Sequence, residues 1–215
     1  MNYNNLKLAF IVAIILANFS CEDKTLYRAT SDYFPLKAGV IWQYVNLESN
    51  DTCEVKVIGD TSVNIHNCIL VTRDAIPEYW IKDKTEIRKL VEIKLNRAGS
   101  DFVLEQNFRT YFQLPLIKGN SWRDTLNNSV DVLGDSVNLR HIINGKVESI
   151  EGVTIPAGDF NEVYKVILVD TLWFDDSLST RFSYYWLAPE TGIVKQRFES
   201  GDTIEQYLIQ FILNR

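Results

Sequence analysis

The sequence predicts an all-β protein, an antiparallel and mostly meandering sheet curved strongly into a barrel or half-barrel. Three observations lead there. Segment after segment alternates with the two-residue period of a strand. Over 85–95, Ile87, Val91, Ile93 and Leu95 fall on one face, and Glu86, Arg88, Glu92 and Lys94 on the other. The chain is rich in strand-forming aromatics, with 10 Tyr, 11 Phe and 5 Trp against one Met. Turn residues punctuate it at short intervals, and no stretch holds a long amphipathic helical pattern. Some strands are apolar on both faces, which favours a curved sheet over a flat one. At 215 residues, 46% hydrophobic and 23% charged, the chain can bury a core without a metal or disulfide staple.

The elements follow in order. Tyr33, Phe34, Pro35 and Leu36, with Gly39, Trp42 and Tyr44, read as a turn that feeds a strand and plants its Trp in the core. The same skeleton returns as Leu114, Pro115 and Leu116 with Gly119 and Trp122, so the two Trp residues are expected to play equivalent buried roles. Between the copies, strands are expected over 41–48, 52–58, 67–73, 76–82, 85–95 and 102–114. Asn50 and Asp51, then Gly59 and Asp60, then Gly99 supply turns. After the second copy, 127–135 reads as weak and polar. A long strand over 140–155 carries Asn144 and Gly145, a dipeptide suited to a tight hairpin. Strands over 160–170, 181–188, 193–198 and 203–213 close the chain.

The first residues are read as an address. The apolar run 8–17 is too short to span a bilayer, which takes about 20 residues, and follows the single basic Lys7. It stops at Ser20 and Cys21, ahead of Glu22 and Asp23. This resembles a bacterial lipoprotein signal, cut before a Cys that then carries the lipid. The implied organisation is a signal peptide over 1–20, a lipidated Cys21 with a tether over 21–32, and one β domain over 33–215. The implied place is the bacterial cell envelope, as an outer-membrane lipoprotein held to the membrane through acyl chains on Cys21.

Four landmarks carry a further resemblance. They are the two Pro-Leu-x-x-Gly-x-x-Trp turns, the run Ile155, Pro156, Ala157, Gly158, Asp159, Phe160, and the late run from Tyr185 and Trp186 through Ala188, Pro189 and Gly192 to Val194. Together these are similar to a family of uncharacterised bacterial secreted proteins and lipoproteins. Glu190 and Thr191 replace the first Gly of that family's late hairpin. The resemblance implies a curved sheet like those of periplasmic lipoprotein carriers and their outer-membrane receptors, and it implies no catalytic residues.

Charge narrows the partners. With 22 Lys and Arg against 28 Asp and Glu, a net of −6 and no basic run, the chain lacks the phosphate-neutralising surface of a nucleic-acid binder. His66 and His141 stand without metal-ligand spacing, no phosphate loop or nucleophile elbow occurs, and no cofactor is expected. Asp175 and Asp176 read as a solvated turn. The expected function is a non-enzymatic binding or interaction module, with a carrier or receptor for a lipid or other hydrophobic ligand as the alternative and a hydrolase behind both. Any ligand is expected to meet Tyr164, Phe182, Tyr184, Trp186 and Phe198, since 182, 184 and 186 share a strand face. Cys53 and Cys68 form a cross-strand disulfide if the loop between their strands is 59–62, and stay apart if the turn lies at 65–67.

Overall fold

A computed structural model describes residues 31–175, 177–200 and 202–213. The expected signal peptide over 1–20 and the expected lipidation site Cys21 lie outside the described residues, and so does Asp176. Within the compact unit Ser31–Arg215 the apolar clusters are built from the strands and from the two Pro-Leu-x-x-Gly-x-x-Trp turns.

Twelve antiparallel strands make one sheet, and no helix occurs among the described residues. They are β1 (Ile41–Val45), β2 (Thr52–Val63), β3 (His66–Arg73), β4 (Ile76–Lys82), β5 (Glu86–Arg97), β6 (Ser100–Gln113), β7 (Ser121–Val132), β8 (Asp135–Ile155), β9 (Gly158–Phe174), β10 (Ser177–Ala188), β11 (Gly192–Ser200) and β12 (Asp202–Ile212). Consecutive strands pair throughout except β6 with β7, and β1 also pairs with β12. The sheet therefore runs from β6 back to β1, on to β12 and back to β7. It is a nearly closed barrel whose two edges, β6 and β7, are consecutive in the chain.

The alternation seen in the sequence sets the inner face. In β2, Cys53, Val55 and Val57 are buried while Thr52, Glu54, Lys56 and Ile58 are exposed. A bulge after Val57 turns the strand without ending it, so Gly59 and Asp60 continue the ladder. The hairpin turn comes instead at Asn64 and Ile65, which places Cys68 opposite Thr61 and Cys53 opposite Tyr44. The disulfide is thereby corrected: the register separates the two cysteines by most of β2, and both are free and buried.

The two Pro-Leu-x-x-Gly-x-x-Trp turns have one geometry. Gly39 N–H donates to Val57 O and Val57 N–H to Val40 O; Gly119 N–H donates to Val147 O and Val147 N–H to Asn120 O. Both glycines take positive φ, 87° and 90°, which an L side chain resists. The first turn lays Tyr33, Phe34 and Leu36 across one end of the barrel, with Phe34 stacked on Trp42 and tilted against Trp80. Lys82 Nζ donates to Phe34 O and pairs with Asp32.

Equivalence ends at the indoles. Trp42 is fully buried and its Nε1–H donates to Thr191 O at 2.6 Å. Trp122, on the edge strand β7, is half-buried and lies flat over Gly145, and its buried Nε1 has no partner. Here the expected hairpin at Asn144 and Gly145 is also corrected. β8 runs unbroken through both, because Gly145 leaves the space an indole needs. The weak segment 127–135 is the end of β7 and its turn into β8.

Candidate functional site

The inner face holds two polar assemblies and one hollow. The first assembly spans the seam between the edges. Asp124 Oδ2 on β7 accepts the Thr110 N–H of β6, and Asn128 Nδ2 donates to Leu104 O. These side chains satisfy edge groups that no strand ladder reaches. Arg109 Nη2 lies 3.1 Å from Asp124 Oδ1, and Arg109 Nη1 lies 2.6 Å from Glu105 Oε1. His141 Nδ1 meets Glu105 Oε2 at 2.6 Å and Nε2 meets Asp170 Oδ1 at 2.7 Å. Burial opposes charge on this imidazole, but its bonds to Asp170 and Glu105 prevail and raise its pKa to about 9. A raised pKa favours the imidazolium, with Nδ1–H toward Glu105 and Nε2–H toward Asp170, while Arg109 Nη1 also stands 3.0 Å from Nδ1.

This ionic layer sits between two apolar cores. Toward one end of the barrel lie Leu104, Leu139 and Leu172; toward the other lie Phe112, Val147 and Leu168. Between them on the same three strands stand Glu105 and Arg109, His141, and Asp170.

The hollow is a cavity of about 380 Å³ within the curve of the sheet. Phe34, Trp42, Trp80 and Ile193 form its apolar floor beneath the first turn, and Arg73, Asp74, Asp170, Arg181, Phe198 and Ile204 stand toward its mouth. The charges in its wall are largely spent on one another. Glu78 takes Lys89 at 2.8 Å, Arg73 at 3.4 Å and the Trp80 Nε1–H at 3.2 Å. Burial would raise its carboxyl, but Lys89 and Arg73 overcome that and hold it below the ordinary value. Burial pushes the Cys53 thiol up to about 11 and the Tyr185 phenol up to about 12, and lifts Tyr44 and Tyr111 as well. Each displaced group moves away from neutrality. That suits a wall of fixed donors and acceptors more than one that exchanges protons near pH 7.

The sequence-predicted ligand residues divide between the two faces. Phe198 lines the cavity. Tyr164 points inward but is buried at the capped end, edge-on to Tyr33 at 4.9 Å. Phe182, Tyr184 and Trp186 do share a face, and it is the outer one; Arg181, Ser183 and Tyr185 face the cavity instead. Phe182 and Tyr184 border a shallow outer groove with Ile167, Val169, Arg123 and Lys146. Trp186 lies under the ammonium groups of Lys165 and Lys195 and donates its Nε1–H to Glu151. The period placed these rings together correctly, but aromatic content did not mark the inner face, because cations cover Trp186 on the outside. Reasoning from sequence missed Arg73, Glu78, Lys89, Asp170 and Arg181. Their signal was phase: Arg73 follows Val71, and Asp170 falls between Leu168 and Leu172, each in step with buried residues. Among the described residues, no three His, Cys, Asp or Glu side chains are placed to hold a metal ion.

No family model and no curated protein matches the chain. Three crystal structures are similar to it. One is of a putative lipoprotein from Parabacteroides distasonis, with a TM-score of 0.50 and 13% identity over 85% of this chain and 99% of that one. Another is of a putative exported protein with YmcC-like fold from Bacteroides fragilis, with a TM-score of 0.39 and 16% identity over 85% of this chain and 100% of the other. The third is the hypothetical lipoprotein YmcC from Escherichia coli, with a TM-score of 0.37 and 10% identity over 80% and 84%. At 13% identity the first of these supports the fold alone.

Proposed function

We propose that this chain is a lipid-anchored protein of the bacterial cell envelope, outer membrane included, that acts as a binding module through the interior of its barrel and does no catalysis. One observation carries the reading: a cavity of about 380 Å³ with an aromatic floor and a mouth of fixed charges. That volume falls in the lower part of the range of small-molecule sites, roughly 300–1,000 Å³. The charged groups in the wall separate this site from the plain apolar hollow that an acyl-chain carrier needs, so the lipid-carrier reading ranks second. The anchor rests on the apolar run 8–17 ending at Cys21. The P. distasonis structure adds a likeness of fold to a putative lipoprotein.

Two measurements test the proposal. Intact mass of the membrane-extracted protein should show acyl chains on Cys21, and a non-acylated mature chain rejects the anchor. Titration of the unit Ser31–Arg215 with the uncharged apolar fluorophore N-phenyl-1-naphthylamine or its sulfonated relative should saturate with one probe per chain. A folded protein that saturates with neither contradicts the binding module.

A further inference from the structure

The charges at the cavity mouth are unequal in what they have left to offer. Glu78 is engaged by two cations and an indole N–H. Asp74 accepts the Glu54 N–H at the lip. Asp170 is directly opposite Arg181 in the β9–β10 ladder and on the same face, yet it turns to His141, whose positive charge answers it from behind the wall. Arg181 is left exposed at the mouth, with no hydrogen-bond or ion-pair partner among the described residues. Its charge nevertheless reaches inward and acts on the phenols of Tyr111 and Tyr185. Arg73, Lys89 and Arg181 thus face Asp74, Glu78 and Asp170 in the wall; Glu78 answers Arg73 and Lys89, Asp170 is engaged by His141, and the cation left without a partner among the described residues is Arg181. This occurs in a chain of net charge −6.

We propose that the cavity selects a small anionic amphiphile, its acid group held by the free guanidinium of Arg181 at the mouth and its apolar or aromatic body laid on the floor of Phe34, Trp42 and Trp80. The proposal rests on the cavity being the binding site and adds the class of ligand. A guanidinium presents a planar fork that meets a carboxylate, sulfonate or phosphate with two parallel bonds. Stacked rings below it give an apolar body a face to lie on. An unpaired guanidinium at the mouth also gives an anion a point of attraction on a protein whose net charge repels it. A neutral ligand would leave Arg181 unused, and a cation would meet it as a like charge.

Two probes with one ring system separate the parts of this claim. These are 8-anilinonaphthalene-1-sulfonate, which carries an acid group, and N-phenyl-1-naphthylamine, which does not. Each is titrated into the unit Ser31–Arg215, its Arg181→Gln and Arg181→Lys variants, and the wild type with inorganic phosphate as competitor. Circular dichroism checks the fold, which a change at an exposed side chain should leave intact. The sulfonate should bind the wild type about tenfold tighter than the neutral probe, as a charge-assisted pair requires. Arg181→Gln should lose about that tenfold for the sulfonate while changing the neutral probe by less than about twofold, and Arg181→Lys should recover part of it. Inorganic phosphate at the probe's own concentration should not displace it, because the acid group alone lacks the body. Equal affinity for the two probes, equal losses in Arg181→Gln, or displacement by phosphate overturns the anionic amphiphile and leaves the binding module standing. Saturation by neither probe removes the module itself.

Discussion

At the scale of single residues, the most consequential placement is His141 among Glu105, Arg109 and Asp170. All but Asp170 are almost entirely buried, so each charge depends on its neighbours in place of water. Removing one partner of such a buried pair costs about 3–5 kcal/mol, because the others stay buried and uncompensated. His141→Gln should fall in that range in urea unfolding, and a loss below about 1 kcal/mol, the size of an ordinary surface change, contradicts the account. The pH dependence has a fixed sign. The folded pKa of about 9 lies above the ordinary 6.5, so the His141 contribution is complete below about 6.5 and disappears as pH rises through about 9. Melting temperature should therefore decline between those values in the wild type and decline less in His141→Gln. A wild-type profile no steeper than the variant's is the opposing result. This cluster was only half legible in the sequence. That His141 lies in a strand, in step with Val137, Leu139 and Ile143, could be read from the two-residue period. Its partner Asp170 lies on the adjacent strand β9, but Glu105 and Arg109 come from β6 across the seam, and which edges meet there is set by curvature and closure, which periodicity does not encode.

At the scale of elements, the repeated turn explains why the sheet bends where it does. In each copy a glycine with positive φ docks on a fully buried valine, Val57 or Val147, and a bulge follows that valine in the partner strand. The repetition was visible as spacing, and the shared geometry is its physical content. The strands themselves were mostly legible, with β4 read to the residue, since alternation and turn residues agree there. What failed was the reading of glycine. Gly59 and Gly145 looked like chain reversals, but both sit inside strands, one beside a bulge and the other beneath an indole. Gly145→Ala tests the second directly. A β-carbon there would come 2.0 Å from the Trp122 ring, so the indole must leave its place over β8. Thermal or urea unfolding should show a loss of about 1–3 kcal/mol, as for overpacking elsewhere, and a neutral substitution contradicts the contact. The two tryptophans should also differ. Trp42→Ala should cost about 3–5 kcal/mol, the range for a buried large aromatic. Trp122→Ala should cost distinctly less, because its ring is half-exposed and its N–H already lacks a partner. Equal losses would restore the equivalence that spacing alone suggested.

At the scale of the whole molecule, a meander whose first and last strands pair in mid-sheet leaves β6 and β7 as its only edges, and side chains from Asp124 and Asn128 close the gap between them. The curve encloses the cavity, the first turn caps it, and the ionic layer stiffens the wall that carries Asp170. The fold class was readable from composition and period, but the face that would matter was not. Aromatic residues occur on both sides of β10, and only the assembled sheet shows Ser183 and Tyr185 inside and Phe182 and Tyr184 outside. The central claim is that binding belongs to the inside. Titration of one fluorescent probe, 8-anilinonaphthalene-1-sulfonate, against Ser183→Phe and Tyr184→Ala in the unit Ser31–Arg215 tests it most directly. Ser183→Phe projects a ring into the cavity, and Tyr184→Ala strips the outer groove. If the interior is the site, Ser183→Phe weakens binding by about tenfold or more while a folded Tyr184→Ala binds within about twofold of wild type. Loss of binding in Tyr184→Ala with retention in a folded Ser183→Phe would place the site on the outer face and contradict the account.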